Sequence, residues 1–270
     1  MFSIFNPPSA TPPPQPPSKV LRILITGSHE GIGLQTARRL ITSGHSVTLH
    51  APDETRASAL HAACPGAEEI LIADLRNLSE MKKLAGEANE KGAYDAVLHD
   101  AGINFSSETT SEGVSDVFAV NTLAPYVLTC LMEKPRGRML YMARESQYSS
   151  AGGEAEHSDS SGKLHASMLA PALARRFPDV QVVGVDPQWV WREMGSSFAF
   201  DSLRRPVRML AEWAVEEGKW GRVKGGNFFA TEEKGRVGAE NEREEKEEVE
   251  KQEALLRICR EVSGVAVPGE

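Results

Sequence analysis

Six apolar-rich residues, Val20-Leu21-Arg22-Ile23-Leu24-Ile25, run directly into Thr26-Gly27-Ser28-His29-Glu30-Gly31-Ile32-Gly33. An apolar run that meets three closely spaced glycines and then a helical pattern reads as a strand, a tight turn and a helix that continues through Leu34 to about Ile41. Gly27 permits the turn, Gly31 lets the backbone approach a ligand closely, and Gly33 lets the helix pack against the strand. The helix start then presents unpaired amides and the positive end of its dipole to an anion. Gly27, Ser28, Gly31, Ile32 and Gly33 are therefore candidates for holding a dinucleotide pyrophosphate.

Beyond this turn the chain alternates β-rich runs, near 20–26, 46–50, 69–72, 95–99, 138–142, 180–185 and 226–230, with helical stretches. That rhythm predicts an α/β fold: one Rossmann-like, doubly wound domain with a mostly parallel seven-stranded sheet and helices on both faces. Ala96-Val97-Leu98-His99 and Val180-Gln181-Val182-Val183-Gly184-Val185 are apolar at most positions, as strands covered on both faces must be. Chemistry is expected at the carboxyl ends of such strands. The 270 residues suffice for one such domain with tails.

Residues 1–19 hold seven prolines and are expected to be a disordered tail, 20–235 the nucleotide-binding domain, and 236–270 an acidic helix with its own tail. Eight glutamates in 240–253 lead into Ala254-Leu255-Leu256-Arg257-Ile258-Cys259, the pattern of a solvated helix whose last turns dock on the core. A net charge of −8 supplies no basic field for nucleic acid or an anionic membrane. Cys64, Cys130 and Cys259 lack metal-ligand spacing and are odd in number, which suits free thiols in a reducing compartment. With no apolar run approaching about 18 residues, the expectation is a cytoplasmic protein.

The Thr-Gly-x-x-x-Gly-x-Gly arrangement is wider than the usual Gly-x-Gly-x-x-Gly fingerprint and resembles that of the short-chain dehydrogenase/reductase family. Ala73-Asp74-Leu75 resembles that family's adenine-contacting segment, Asp100-Ala101-Gly102 its Asn-Ala-Gly, and Phe118-Ala119-Val120-Asn121 the segment with its helix-borne asparagine. The similarity runs from about residue 20 to 265. A fungal branch of the family is most similar, through Val120-Asn121-Thr122-Leu123-Ala124-Pro125-Tyr126, Ser158-Asp159-Ser160, Lys163-Leu164-His165 and Gln252-Glu253-Ala254-Leu255-Leu256. The resemblance implies a nicotinamide dinucleotide held by the glycine turn, Asp74, Ala101, Gly102, Asn121 and Lys163. It also implies a small-molecule substrate, and a homo-oligomer paired through helices near 114–133 and 158–177.

In that family a serine, a tyrosine, a lysine four residues after the tyrosine and an upstream asparagine carry hydride transfer. The tyrosine moves the proton, and the lysine cation lowers the phenol's pKa. Lys163 and Asn121 are present. The family's Ser-Ser after the fifth strand is Ala143-Arg144 here, and Asp159 stands four residues before Lys163 where tyrosine is expected. A shifted alignment puts His157 at the tyrosine position with two residues inserted before Lys163. Downstream, Gln188 and Arg192 replace a glycine and a threonine. Asp159 or His157 could substitute for the phenol, and Arg144 could hold a substrate carboxylate or polarise an oxygen.

Two principal readings follow. One is an oxidoreductase acting on a small carbonyl or alcohol, in secondary metabolism; the other is a dinucleotide-binding protein without turnover, serving as a sensor or structural partner. A non-redox cyclase or isomerase on the same scaffold is a third. The second strand ends Leu49-His50-Ala51-Pro52 with no acid to repel a 2′-phosphate, and His50 or Arg56 could pair with one, which favours NADP over NAD; Asp53 just beyond tempers that preference.

Overall fold

The computed structural model describes residues 17–103, 105–142, 161–185, 203–216, 227–229 and 242–269. The expected strands form β1 (Arg22–Thr26), β2 (Ser46–Ala51), β3 (Glu69–Ile72), β4 (Ala96–His99), β5 (Arg138–Met142) and β6 (Gln181–Val185). These six stand in the order β3-β2-β1-β4-β5-β6, every neighbouring pair parallel, and the three residues of β7 (Asn227–Phe229) pair with β6 at the far edge. The order reverses at β1, which lies between β2 and β4. A crevice opens at such a reversal because the connections from β1 and β4 leave toward opposite faces of the sheet.

The helices are α1 (Gly31–Thr42), α2 (Glu54–Ala63), α3 (Leu78–Glu90), the single turn α4 (Asp116–Phe118), a π-helical turn at Ala119–Leu123, α5 (Ala124–Leu131), α6 (Ser161–Arg176), α7 (Arg204–Ala214) and α8 (Glu242–Ser263). Two apolar cores sandwich the sheet. Residues of α1, α2 and α7 pack on one face with Ile23, Ile25, Leu49 and Leu98, and residues of α3, α5, α6 and α8 pack on the other with Leu24, Val97, Met139 and Val182. Adjacent strand residues therefore point into different cores, which is why the strands are apolar at almost every position.

Within the second core lies a buried polar chain. Thr129 Oγ1 is 2.6 Å from Tyr141 Oη and 3.2 Å from His99 Nε2, and the His99 and Tyr141 rings stack with centroids 4.9 Å apart. Burial alone pushes the His99 imidazole down to about 3, so the ring is neutral at physiological pH.

The acidic segment before residue 254 is helical from Glu242, and α8 docks as its pattern predicts, with Leu255, Leu256 and Cys259 buried. Glu253 accepts from Arg175 Nη2 at 2.8 Å and from Arg176 Nη1 at 2.7 Å and Nη2 at 2.5 Å; the Arg176 hydrogen bonds, supported by Arg175, hold its carboxyl down to about 2. Past α8, Tyr126 donates to the Val265 carbonyl at 2.8 Å and Lys82 to that of Ser263 at 2.9 Å. The C-terminal segment thus straps α6, α5 and α3 together, lying on the helices through which pairing with a second copy was expected. Among the described residues no helix is long and apolar enough to cross a membrane.

The two faces of α8 differ in energy. Leu256→Ala is expected to cost about 2–5 kcal/mol in urea unfolding, whereas Ile258→Ala, at a half-exposed position, should stay within about 0.5 kcal/mol. Equal costs would show that α8 is not docked by the face described.

Candidate active site

A cleft of about 410 Å³ lies at the carboxyl ends of β1 to β4, lined by Gly27, His29, Glu30, His50, Asp53, Arg56, Asp74, Arg76, Ala101, Gly102, Ile103 and Val120, among others. Its floor is the glycine turn. Gly27 sits at φ +68°, and a Cβ there would stand 2.5 Å from Ala101 Cα, so the close approach of the β1 and β4 ends requires glycine. At Gly33 a Cβ would stand 2.5 Å from Asp100 Oδ2. The buried Asp100 carboxylate lies against the first turn of α1, where the helix dipole favours an anion, and its contact adds to the close packing of Gly33 on the Gly27 carbonyl and Ser28 Cα, both 3.3 Å from the Cβ position.

Gly31, at φ +60°, has nothing within 4 Å of its Cβ position, so open space adjoins the helix start. Glu30 occupies the N-cap in extended conformation without a side-chain capping bond, and no acidic residue lies in the first turn. The first-turn amides thus take no bond from the Glu30 side chain, the arrangement in which a helix start accepts an anion. Ser28, a pyrophosphate candidate in the sequence, has its hydroxyl engaged within the chain. It is fully buried, and its Oγ donates to the His50 carbonyl at 3.3 Å and accepts from the His50 N–H at 2.9 Å.

His50 ties three strand ends together. Its Nδ1 accepts from the Gly27 N–H at 3.0 Å, and its Nε2 lies 2.9 Å from the Ala73 carbonyl. An amide can only donate and a carbonyl only accept, so Nε2 carries the single proton of a neutral ring. Burial pushes the imidazole down to about 4 despite the Ala73 bond. This corrects one expectation: His50 is neutral with both nitrogens engaged, and it cannot act as a cationic partner for a 2′-phosphate. Arg56 remains at that edge, its Nη1 2.6 Å from Oδ2 of Asp53, whose carboxylate caps α2 by accepting the Arg56 N–H.

Asp74, at the adenine end implied by the resemblance, is bound by Arg76 through Nη2 at 2.6 Å and Nε at 3.0 Å. Burial raises the Asp74 pKa, but the Arg76 hydrogen bonds and charge outweigh it and hold the carboxyl below the usual range. Ala101 and Gly102 line the cleft opposite, with the Ala101 N–H donating to Thr26 Oγ1 at 3.2 Å.

Asn121 lies in the π-helical turn. Its Oδ1 accepts from the Ile103 N–H and its Nδ2 donates to the Ile103 carbonyl, both at 2.9 Å, so one side chain pins the loop after β4. A π turn is a local widening of a helix that recurs at functional sites, and here the Ala124 N–H reaches back to the Ala119 carbonyl. Next to it, Thr122 Oγ1 lies 2.9 Å from His165 Nδ1, which joins this turn to α6 two residues beyond Lys163; burial lowers His165 to about 4.

Lys163 is the third residue of α6 as described, with Gly162 inside the helix rather than before it. Arg144, His157, Asp159 and the segment 186–194 lie outside the described residues. Nothing in the sequence singles out Arg76, Asp116 or Ser106, and His165 stands there only within the run Lys163-Leu164-His165. The position of Arg76 two residues after Asp74 was the one local signal, because that spacing favours an aspartate turn closed by its own side chain.

Residues 21–199 match the family model for short chain dehydrogenases. The chain belongs to the short-chain dehydrogenase/reductase family. An uncharacterised oxidoreductase of Emericella nidulans is 48% identical over 93% of this chain and 100% of its own length. The short-chain dehydrogenases chyC of Penicillium rubens and chry4 of Gibberella zeae are 35% and 32% identical, each over 92% of this chain and over 99% and 98% of their own lengths. Among solved structures, an uncharacterised protein from Mycobacterium paratuberculosis superposes with a TM-score of 0.71 at 19% identity, covering 94% of this chain and 97% of that one. A short chain dehydrogenase from Burkholderia cenocepacia in complex with NADP superposes at 0.61 with 18% identity, over 77% and 95%. At such identities the structural likeness speaks to fold, and short-chain dehydrogenases bind nicotinamide dinucleotides.

Two outcomes follow from the glycines and histidines. Gly31→Ala should cost only about 1–2 kcal/mol in stability, for the left-handed backbone, while its methyl enters the open space and abolishes dinucleotide binding in calorimetry. Gly27→Ala should impair folding itself, because its methyl meets backbone. For pH, the folded pKa values of His50, His99 and His165 all lie below the unfolded value of about 6.5. The unfolded chain therefore binds more protons below pH 6.5, and stability, full above that pH, is lost as pH falls toward 4. Thermal melts should show this decline, with a slope shallower by about one proton in His50→Gln; a melting temperature flat from pH 6.5 to 4 would contradict it.

Proposed function

We propose that this chain is an NADP-preferring oxidoreductase that transfers hydride to or from a small carbonyl or alcohol. The observation that carries the reading is the crevice at the β1/β4 reversal, where the uncapped start of α1, the open side of Gly31 and the Asn121-pinned loop converge on one cleft. The residues suit a dinucleotide: the amides of Gly31, Ile32 and Gly33 would hold the pyrophosphate, and Ala101 and Gly102 would lie along the adenosine half. The nicotinamide ring supplies or accepts the hydride when bound.

Lys163 would hold the nicotinamide ribose and keep a neighbouring acid–base group poised by its charge. Asn121 keeps the loop after β4 closed over the site. The proton needed by the substrate oxygen would move through Asp159 or His157, in place of a phenol, and Arg144 would draw a carboxylate or oxyanion of the substrate into place. Arg56 would exchange its Asp53 partner for the 2′-phosphate, and the NADP held by the structural neighbour from Burkholderia cenocepacia supports this preference.

A second reading, dinucleotide binding without turnover, draws on Ala143-Arg144 and Asp159 standing at the serine and tyrosine positions. NADPH consumption against a panel of aldehydes and ketones separates the two. The first reading expects turnover that falls at least about a hundredfold in Lys163→Ala, and an NADPH-over-NADH preference that collapses in Arg56→Ala. Binding with no turnover on any substrate would favour the second, and turnover unchanged in Lys163→Ala would remove the role given to that lysine.

A further inference from the structure

His165 touches the π turn at two points. Its Nδ1 lies 2.9 Å from Thr122 Oγ1 inside the turn, and its ring meets that of Phe118, the residue just before the turn, edge to face with centroids 5.5 Å apart. Thr122 is fully buried and directly follows Asn121, whose side chain pins Ile103. On the other side of the contact, His165 stands two residues beyond Lys163 in α6. One hydrogen bond thus spans the two elements that carry Asn121 and Lys163, and neither of its partners lines the cleft.

Chain connectivity does not set the place of α6 closely. The chain leaves the sheet at Met142 and enters α6 at Ser161 by way of residues 143–160, so the position of Lys163 depends on what the helix packs against. Leu169, Ala170 and Leu173 bury α6 in the second core. Apolar packing resists separation but tolerates small slides, whereas a hydrogen bond between buried groups accepts a narrow range of distance and direction. The π turn gains from such a tie, because its widened backbone departs from the regular helical ladder. Burial keeps the imidazole neutral, and a threonine hydroxyl can both donate and accept, so the bond forms with either tautomer.

We propose that His165 and Thr122 are a positioning pair that holds α6 in register with the π turn and so sets the separation of Lys163 from Asn121. The inference rests on the reading of the cleft as a dinucleotide site and adds to it two residues that touch neither dinucleotide nor substrate. Gly27, Asp53, Arg56 and Asp74 stand at the β1, β2 and β3 ends, which the pair does not touch. The pair therefore bears on the nicotinamide end of a bound dinucleotide and leaves the adenosine end alone.

The test is calorimetric titration of the full chain with NADPH and with adenosine 2′,5′-bisphosphate, which carries the adenosine end and no nicotinamide. His165→Phe keeps an aromatic ring against Phe118 and removes the nitrogens; Thr122→Val keeps the shape and removes the hydroxyl. Each should weaken NADPH binding about tenfold and bisphosphate binding less than about twofold, which also shows that the variant is folded. The double variant should lose no more than either single one, because the same bond is broken in all three. Two conservative variants complete the set. His165→Asn, whose amide atoms sit at the same remove from Cβ as Nδ1, and Thr122→Ser, which keeps the hydroxyl, should each bind NADPH within about threefold of the unmodified chain. Equal losses for the two ligands, NADPH binding unchanged in His165→Phe and Thr122→Val, losses that add in the double variant, or no recovery in either conservative variant would each overturn the proposal. Failure of the unmodified chain to bind either ligand would instead overturn the dinucleotide reading beneath it.

Discussion

The site depends on a neutral imidazole. His50 sits at the end of β2 and reaches sideways to both of its neighbours, accepting from Gly27 beyond β1 and pairing with Ala73 beyond β3. Each of these backbone groups lies where a strand has ended, so the sheet ladder no longer satisfies it, and each would be costly to leave unpaired in a buried place. One ring answers both. Because it can do so only in a single tautomer, the carboxyl edge of three strands is set in one geometry, and the glycine turn, the Asp74 segment and the start of α1 inherit that geometry.

The opposite wall of the cleft is held by equivalent means. Asn121 pairs with both polar groups of Ile103, as an amide does with a peptide, and His165 joins the π turn to α6. The C-terminal segment then braces the same helices from outside, through the grip of two arginines on Glu253 and the bonds to the Ser263 and Val265 carbonyls. Binding surface and brace are thus parts of one polar framework laid over two apolar cores. The asymmetry is physical: apolar burial supplies most of the stability but is indifferent to small shifts, whereas hydrogen bonds between buried groups select one arrangement.

Much of this was legible in the sequence for a simple reason. Strand, turn and helix are local patterns, so the apolar run before Thr26, the three glycines and the alternation down the chain carried the strand positions to within a residue or two. The role of Gly27 and the openness beside Gly31 followed from backbone geometry at single positions. The packing of Gly33 on the strand end was legible in the same way, but its contact with Asp100 was not, because that aspartate is 67 positions away and reaches the first turn of α1 only once β4 has paired with β1. His50 read as a candidate cation since its residue type permits one, and only the strand ends it touches show that it is neutral. Arg76 and Asp116 are ordinary charged residues in sequence, and only the fold closes their 40-residue separation to 3.8 Å.

On the proposed reading, this framework shapes a nicotinamide dinucleotide site at the β1/β4 crevice. Calorimetric titration of the purified chain with NADPH and, separately, NADH tests it most directly. Saturable binding at about micromolar affinity is expected, with one dinucleotide per chain and tighter for NADPH. Absence of heat from both, under conditions where the chain is folded, would contradict it.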